Sequence, residues 1–159
     1  VLIASAYFLP GRRLRLALQQ AARRGVQVHL ILQGRYEYFL QYHATRAVYS
    51  ELLAAGIVID EYHAGFLHAK VAVVDGLWST VGSSNLDPLS LLLAREANVV
   101  VEDTRFAALL RGRLLASVAG RTRPLERQGF ASRPLRERFF DGLAYALVRI
   151  SLFLLGRRY

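Results

Sequence analysis

The chain has 159 residues, of which 53% are hydrophobic, and it carries a formal net charge of +9. This length suits one α/β domain with a sizeable core, and the apolar content excludes a disordered chain. The absence of cysteine excludes disulfides, a thiol nucleophile and thiolate metal ligands.

In chain order, short apolar runs alternate with amphipathic stretches. The runs predict six β-strands, at residues 1–7, 26–32, 57–61, 68–74, 78–82 and 97–102. The amphipathic stretches predict helices at residues 12–24, at 43–55, within 83–95, at 104–119 and at 135–155. The pair Asp75-Gly76 predicts a hairpin turn, which adds antiparallel pairing to strands otherwise linked through helices. We therefore expect an α/β fold with a mixed sheet flanked by helices on both faces, followed by a C-terminal amphipathic helix.

The last third of the chain differs from the rest in charge. Residues 1–103 hold as many basic as acidic side chains, whereas residues 104–159 hold twelve arginines and three acids. We interpret residues 1–119 as a catalytic unit, 120–134 as a basic linker and 135–159 as an apolar and basic tail that associates with membranes. A basic block indicates an anionic partner, either lipid headgroups or nucleic acid, unless the arginines serve only for solubility.

The apolar stretch at residues 139–155 is flanked by arginines and contains Asp141, Tyr145 and Arg149 at four-residue spacing. These three side chains form a narrow polar stripe on an otherwise apolar helix. A membrane span needs about 20 residues with few charges, so a helix that lies in the membrane interface is favoured. A spanning helix, or a buried helix docked on the missing half of the protein, is the alternative.

Two nearby stretches, residues 68–75 and 82–85, hold the side chains that we expect to carry out chemistry. Because residues two apart on a strand point to the same side, His68 and Lys70 are expected to share one pocket. There the ammonium group would neutralise a phosphate oxygen while the imidazole faces phosphorus. Lys70 is the only lysine beside twenty arginines, which indicates that a compact charge is needed at this position.

Other polar groups complete the candidate site. The amides, hydroxyl and carboxamide of Gly82, Ser83 and Asn85 are expected to bind the remaining phosphate oxygens together with Lys70. The carboxylate of Glu96 is expected to hold the imidazole in one tautomer.

The spacing His-x-Lys-x4-Asp-x6-Gly-Ser-x-Asn, from His68 to Asn85, resembles the signature of the phospholipase D superfamily. Flanking segments extend the likeness over residues 1–103. Asn85-Leu86-Asp87-Pro88-Leu89-Ser90 and Glu96-Ala97-Asn98-Val99 are similar to bacterial cardiolipin synthases, especially the B-type branch. The resemblance implies a phospholipase D-like half-domain over residues 1–119. The resemblance also implies that the catalytic residues are His68, Lys70, Asp75 and Glu96.

The resemblance implies a reaction at two such motifs, which meet across a pseudo-two-fold axis and use no metal or other cofactor. One histidine attacks phosphorus and forms a phosphohistidine, and the other protonates the leaving alcohol. Since this chain has one motif, lacks methionine and opens within an apolar run at Val1, we interpret it as one half-site of a longer protein. The expected partner is the missing N-terminal half or a second copy of the chain.

In a cardiolipin synthase, the implied reaction transfers a phosphatidyl group from one phosphatidylglycerol to another and releases glycerol. The implied location is the bacterial cell membrane, where the protein is peripheral or anchored at the cytoplasmic face and contacts anionic phospholipid. A phosphodiesterase or nuclease made of two single-motif chains is the alternative, with nucleic acid bound by the basic tail. A non-enzymatic module that binds membranes or dimerises is a third hypothesis.

Several remaining side chains have two interpretations. Asp75 suits the structural role of an Asp-Gly turn better than a catalytic role. Glu61 and His63 are not expected to bind a metal, because further ligands are not evident. Aromatic side chains in the predicted loops either form an apolar mouth that keeps water from the intermediate or anchor those loops. They are Tyr36, Tyr38, Phe39, Tyr42 and Phe66.

Overall fold

A mixed sheet of seven strands lies at the centre of residues 1–155, the part of the chain that this computed structural model describes. The strands are β1 (Leu2–Ser5), β2 (His29–Gln33), β3 (Val58–Tyr62), β4 (Lys70–Val74), β5 (Trp78–Gly82), β6 (Asn98–Glu102) and β7 (Thr122–Pro124). The helices are α1 (Arg12–Arg23), α2 (Phe39–Ala54), α3 (Pro88–Leu92), α4 (Thr104–Val118), α5 (Arg127–Ala131) and α6 (Leu135–Leu154).

The strand order is β6-β5-β4-β1-β2-β3-β7, in which β1, β2 and β3 are parallel and the other neighbours are antiparallel. Helices connect the parallel strands, whereas the short turn after Val74 returns β4 onto β5 as a hairpin. The predicted α/β class and the mixed sheet are therefore confirmed.

Helices cover both faces of the sheet because successive strand residues point to opposite sides. On one face, Ile3, Leu30 and Ile59 pack with the inner sides of α1, α2 and α6. On the other face, Leu2 and Ala4 belong to a smaller cluster with Ile31 and with Val118 of α4.

Residues 120–134, which we expected to form a linker, contain a strand and a helix. β7 pairs with the outer side of β3, and α5 places the buried ring of Phe130 5.6 Å from the ring of Tyr49. The expectation of a linker failed because proline and arginine suit an edge strand as well as a loop. The division of the chain into a catalytic half-domain and a membrane-associating tail remains a prediction.

The final helix, α6, lies along α2 with part of its polar stripe turned inward. Asp141 is buried, with Oδ1 2.7 Å from His43 Nδ1 and Oδ2 2.9 Å from an Arg133 nitrogen. The Tyr145 hydroxyl accepts a hydrogen bond from Arg15 at 2.9 Å. The carboxylate of Asp141 therefore pairs within the protein, whereas a helix that lies in the membrane interface would turn its polar stripe towards water.

The opposite side of α6 is apolar and exposed. We call it the outer face of α6; it consists of Leu135, Phe139, Leu143, Leu147, Ile150 and Leu154, each at least 41% exposed. Within residues 1–155, no helix has the length and hydropathy that crossing a membrane requires.

Candidate active site

His68 and Lys70 lie where the chain enters β4. The strand begins at Lys70, so His68 precedes it, but Ala6 N–H still donates to Ala69 O at 3.0 Å and keeps this entry extended. The two side chains consequently point the same way, and Lys70 Nζ lies 3.0 Å from His68 Nε2. His68 is exposed and Lys70 is half-buried. The structure thus brings the two groups together at an open surface.

The two reactive groups lie within hydrogen-bonding distance of each other at the same open surface. An ammonium group has donors only, so Lys70 Nζ is the donor whenever Nε2 of His68 is unprotonated. A phosphate placed between them would receive a hydrogen bond from Lys70 at an oxygen while its phosphorus faces Nε2 of His68.

The loop before His68 is fixed from the neighbouring strand β2. Leu67 N–H donates to Gln33 Oε1 at 3.0 Å, and Gln33 is the last residue of β2. This contact restrains the backbone one residue before the imidazole. Our sequence reasoning missed Gln33, because no local pattern connects it to a residue 34 positions later.

Burial and nearby carboxylates have opposite effects on the pKa of Lys70. Partial burial lowers the pKa of its ammonium group, whereas the carboxylates of Glu96 and Asp87 act in the opposite direction. Asp87 is buried, and this burial raises the pKa of its carboxyl group. Its Oδ1 caps α3 by accepting from Leu89 N–H at 2.9 Å and Ser90 N–H at 3.1 Å. The Asp-Pro sequence indicates such a cap, but it gives no sign that the cap also acts on Lys70.

Gly82 is required by the close approach of β5 and β6. A Cβ atom at this position would lie 2.6 Å from Asn98 Cα and would also overlap the Ala97 carbonyl oxygen. Since Val71 pairs with Val81, Gly82 lies next to Lys70 in the neighbouring strand. The absent side chain therefore leaves room for Asn98 at the edge of the site.

The hydroxyl groups after Gly82 already have partners within the chain. Ser83 Oγ accepts from Ala97 N–H at 3.1 Å, and Asn98 Nδ2 donates to Ser84 Oγ at 2.7 Å. Ser84 N–H in turn donates to Asn98 Oδ1 at 3.3 Å. These bonds join β5 to β6, so the phosphate-binding role assigned to Gly82 and Ser83 remains a prediction.

Asn85 and Glu96 are joined through a residue that we did not single out. Asn85 N–H donates to Ser90 Oγ at 2.9 Å, and Ser90 Oγ donates to Glu96 Oε1 at 2.8 Å. Hydrogen bonds from Ser83 and Ser90 lower the pKa of Glu96 and favour its carboxylate form. Glu96 therefore lies in the cluster and acts on the charge of Lys70. Its hydrogen bonds come from Ser83 and Ser90 and not from His68, so its role in holding the imidazole remains a prediction.

The carboxamide of Asn85 faces the end of β1. Tyr7 N–H lies 3.4 Å from Asn85 Oδ1, while the Tyr7 hydroxyl donates to Glu37 Oε2 at 2.9 Å. Burial and the hydrogen bond to Glu37 raise the pKa of the Tyr7 hydroxyl. Asn85 is thus held between β1 and α3, and its contact with a phosphate remains a prediction.

Asp75 is not part of this cluster. It lies in the turn at the other end of β4, five residues after Lys70, and a strand of that length spans about 16 Å. Its φ of 52° is left-handed, as is that of Gly76 at 65°. Aspartate tolerates this conformation better than most residues. The structure supports the turn role of Asp75 and gives no contact for a catalytic role.

The aromatic residues near the site are mostly exposed. Tyr36, Tyr38, Phe39 and Phe66 have exposed fractions between 44% and 59%. Tyr42 instead lies 5.0 Å from the Arg46 guanidinium, measured from its ring centre. An apolar mouth made by the four exposed rings remains a prediction.

Glu61 and His63 lie beside Arg46 and not within a cluster of acidic and histidine ligands. Glu61 forms an ion pair with Arg46, and His63 Nε2 is 3.5 Å from its other oxygen. In the part of the chain that the structure describes, no group of histidines and carboxylates is placed to hold a metal ion.

The sheet order and the His-x-Lys pair at the start of β4 define a phospholipase D-like domain. Residues 1–115 match the family described as cardiolipin synthase, PLD-like domain, and the chain belongs to this family. Cardiolipin synthase B of Escherichia coli (strain K12) is 48% identical over 119 residues, which are 75% of this chain and 29% of that protein. The chain therefore spans less than a third of the length of this curated relative. The predicted resemblance to the phospholipase D superfamily and to B-type cardiolipin synthases is confirmed.

Two solved structures share the fold. A phospholipase D family member, Nuc from Salmonella typhimurium, has a TM-score of 0.64 at 21% identity, over 78% of this chain and 80% of that chain. Phosphatidylserine synthase of Haemophilus influenzae Rd KW20 has a TM-score of 0.69 at 15% identity, over 99% of this chain and 40% of that chain. The fold thus occurs both in chains of similar size and as part of longer ones.

Proposed function

We propose that this chain supplies one of two half-sites of a phosphatidyltransferase that makes cardiolipin from phosphatidylglycerol. The observation that carries the proposal is the 3.0 Å contact between Lys70 Nζ and His68 Nε2 at an open surface. The relative named cardiolipin synthase B, 48% identical over 119 residues, supports the choice of substrate. The second half-site comes from the preceding half of the same protein or from a second copy.

In the first step, the Nε2 lone pair of one of the two motif histidines attacks phosphorus of phosphatidylglycerol. A P–N bond forms, the P–O bond to the terminal glycerol breaks, and the second histidine gives its proton to the departing oxygen. Lys70 neutralises a non-bridging oxygen while negative charge develops there. His68 takes one of these two histidine roles.

In the second step, the hydroxyl of another phosphatidylglycerol attacks the phosphohistidine. The second histidine, now neutral, accepts the hydroxyl proton, and the P–N bond breaks as the new P–O bond forms. Cardiolipin and glycerol are the products, and both histidines return to their initial states. The first step needs one imidazole neutral and the other protonated, so different surroundings for the two rings favour the reaction.

Membrane association would supply both lipids in one plane. The outer face of α6 is apolar, and the segment from residue 104 onward carries the whole excess of positive charge. Apolar residues that enter the interface next to arginines that attract anionic headgroups are typical of peripheral membrane helices. We place the protein at the bacterial cell membrane, bound to its cytoplasmic face.

The reaction is tested by incubating the purified protein with phosphatidylglycerol liposomes and, separately, with single-stranded DNA. Formation of cardiolipin and an equal amount of glycerol, both abolished in His68→Ala, is the expected result. Cleavage of DNA without cardiolipin formation would instead identify a nuclease. The observation that favours this alternative is the excess of arginines after residue 103, because such a basic segment would also bind nucleic acid.

The covalent intermediate is tested by rapid quenching with phosphatidylglycerol labelled at phosphorus. A protein-bound label that is stable in base and labile in acid would identify a P–N bond. Peptide mapping then assigns it to His68 or to the histidine of the other half-site. Cardiolipin formation without any trapped label under rapid quench would contradict the two-step mechanism.

A further inference from the structure

An apolar cavity of about 220 Å³ opens between α2, α3 and the C-terminal part of α6. We call it the α2–α3–α6 groove. Its walls are mainly aliphatic side chains from all three helices and from the segment after β1. The most prominent are Leu9, Leu40, Leu89, Leu93, Val148 and Leu152.

Two residues that line the groove also belong to the surroundings of the candidate active site. They are Tyr7 and Asp87. Tyr7 N–H faces the carboxamide of Asn85, and the carboxylate of Asp87 acts on the charge of Lys70. A phosphate bound at Lys70 would therefore have the groove beside it.

The lining of the groove also includes Leu155, which follows α6, and the adjacent Phe153 and Leu154 are 80% and 77% exposed. The apolar wall thus continues onto the surface that we assign to the membrane. A ligand with its phosphate at Lys70 would need an apolar part to occupy these walls.

We infer that the α2–α3–α6 groove holds the first part of one acyl chain of the phospholipid whose phosphate lies at His68 and Lys70. The inference rests on the proposed function and adds a binding site for the diacylglycerol part of the substrate. The cavity is smaller than the roughly 300–1,000 Å³ of sites that enclose a whole small ligand, which suits a segment of one chain. Transfer of this segment from water to the aliphatic walls is favourable because both surfaces are apolar.

Two leucines of α3 provide a matched pair of variants. Leu89 lines the groove and Leu91 does not, yet both are exposed, at 55% and 46%, on the same short helix. Leu89→Asp places a charge against the acyl chain, whereas Leu91→Asp adds the same charge away from it. Because both side chains are exposed, neither substitution removes core packing.

The assay compares a long-chain phosphatidylglycerol in mixed micelles with a water-soluble one that has butanoyl chains. For the long-chain lipid, kcat/KM of Leu89→Asp is expected to fall by roughly tenfold or more. For the butanoyl lipid, and for Leu91→Asp with either lipid, it is expected to change less than about twofold. Equal effects of Leu89→Asp and Leu91→Asp on both lipids would overturn the assignment of the groove.

A binding measurement separates the groove from the reaction itself. Phosphatidylglycerol with a photoreactive diazirine in its acyl chain is irradiated with the purified protein, and adducts are mapped by mass spectrometry. Adducts at Leu40, Ala44, Leu89, Leu93, Val148 or Leu152 support the groove, and adducts confined to the outer face of α6 overturn it. If the protein makes cardiolipin but the groove carries no adduct, the groove assignment is wrong and the proposed function stands. If the groove carries adducts but the protein makes no cardiolipin, the proposed function is wrong and the groove assignment stands.

Discussion

The inner strands of the central sheet are covered by the rest of the chain, whereas the edge formed by β6 is largely exposed. In β1, β2 and β3, the side chains of Leu2, Leu30 and Ile59 are at most 1% exposed. At the β6 edge, Val99 and Val100 are 65% and 54% exposed. We call these regions the covered side and the open edge.

The reactive pair lies between these two regions, where β4 adjoins β1. The covered side holds most of the buried apolar surface and so provides most of the stability. His68 itself is exposed and contributes little packing. Stability and chemistry are therefore provided by different residues. A substitution in the core should lower stability, and a substitution of His68 should lower activity, each with little effect on the other property.

The largest expected effect is on activity and comes from His68. We expect His68→Ala to lower the rate of cardiolipin formation by roughly 10²–10⁴-fold or more, because the imidazole either attacks phosphorus or moves the proton. The free energy of unfolding, measured with urea, should stay within about 0.5 kcal/mol of that of the unsubstituted protein. A large loss of stability in this variant would contradict the separation.

The next largest effect is on stability and comes from the covered side. We expect Leu30→Ala to reduce the free energy of unfolding by about 2–5 kcal/mol, because it leaves a cavity in the core. Val99→Ala at the open edge is the matched control and should change it by less than about 0.5 kcal/mol. Similar losses in both variants, measured by urea unfolding, would show that the open edge is covered in solution.

A smaller effect is expected at the hairpin turn. Asp75→Val places a β-branched side chain at a φ of 52° and should cost about 1–3 kcal/mol of stability. Asp75→Asn should retain the turn and most of the transfer activity, since asparagine also accepts this conformation. Loss of activity in a stable Asp75→Asn variant would show that Asp75 has a catalytic role beyond forming the turn.

The smallest effect is a shift in one titration. Lys70 is the only lysine, so an NMR titration of lysine side chains follows this group alone. We expect its pKa to lie below the ordinary lysine value, and Glu96→Gln to lower it further because a favourable carboxylate is removed. Glu102→Gln, at the far end of β6, should leave it unchanged. A rise in the Lys70 pKa in Glu96→Gln would contradict the arrangement.

Local patterns predicted the features that depend on neighbours in the chain. Alternating apolar residues indicated the six longer strands, and two-residue spacing indicated that His68 and Lys70 share a side. Although β4 begins two residues after His68, the extended backbone preserves that relation. The Asp-Gly pair indicated the hairpin turn at Asp75 correctly.

Features that depend on distant partners could not be predicted in this way. The inward direction of Asp141 depends on His43, 98 residues earlier, and on Arg133. The restraint of the loop before His68 depends on Gln33. The effect of Asp87 on Lys70 joins residues 17 positions apart. To predict any of these contacts, one must know which strands and helices become neighbours in the fold. Hydrophobic periodicity along the sequence does not give this information.

The buried contact between Asp141 and His43 has a consequence for geometry at a lipid surface. Separating α6 from α2 would break this hydrogen bond and leave a buried carboxylate oxygen without its partner on α2, which is costly. The helix is therefore a rigid part of the domain and not a flexible tether. Whatever plane the helix settles on, the imidazole of His68 is held at one height and one tilt above it.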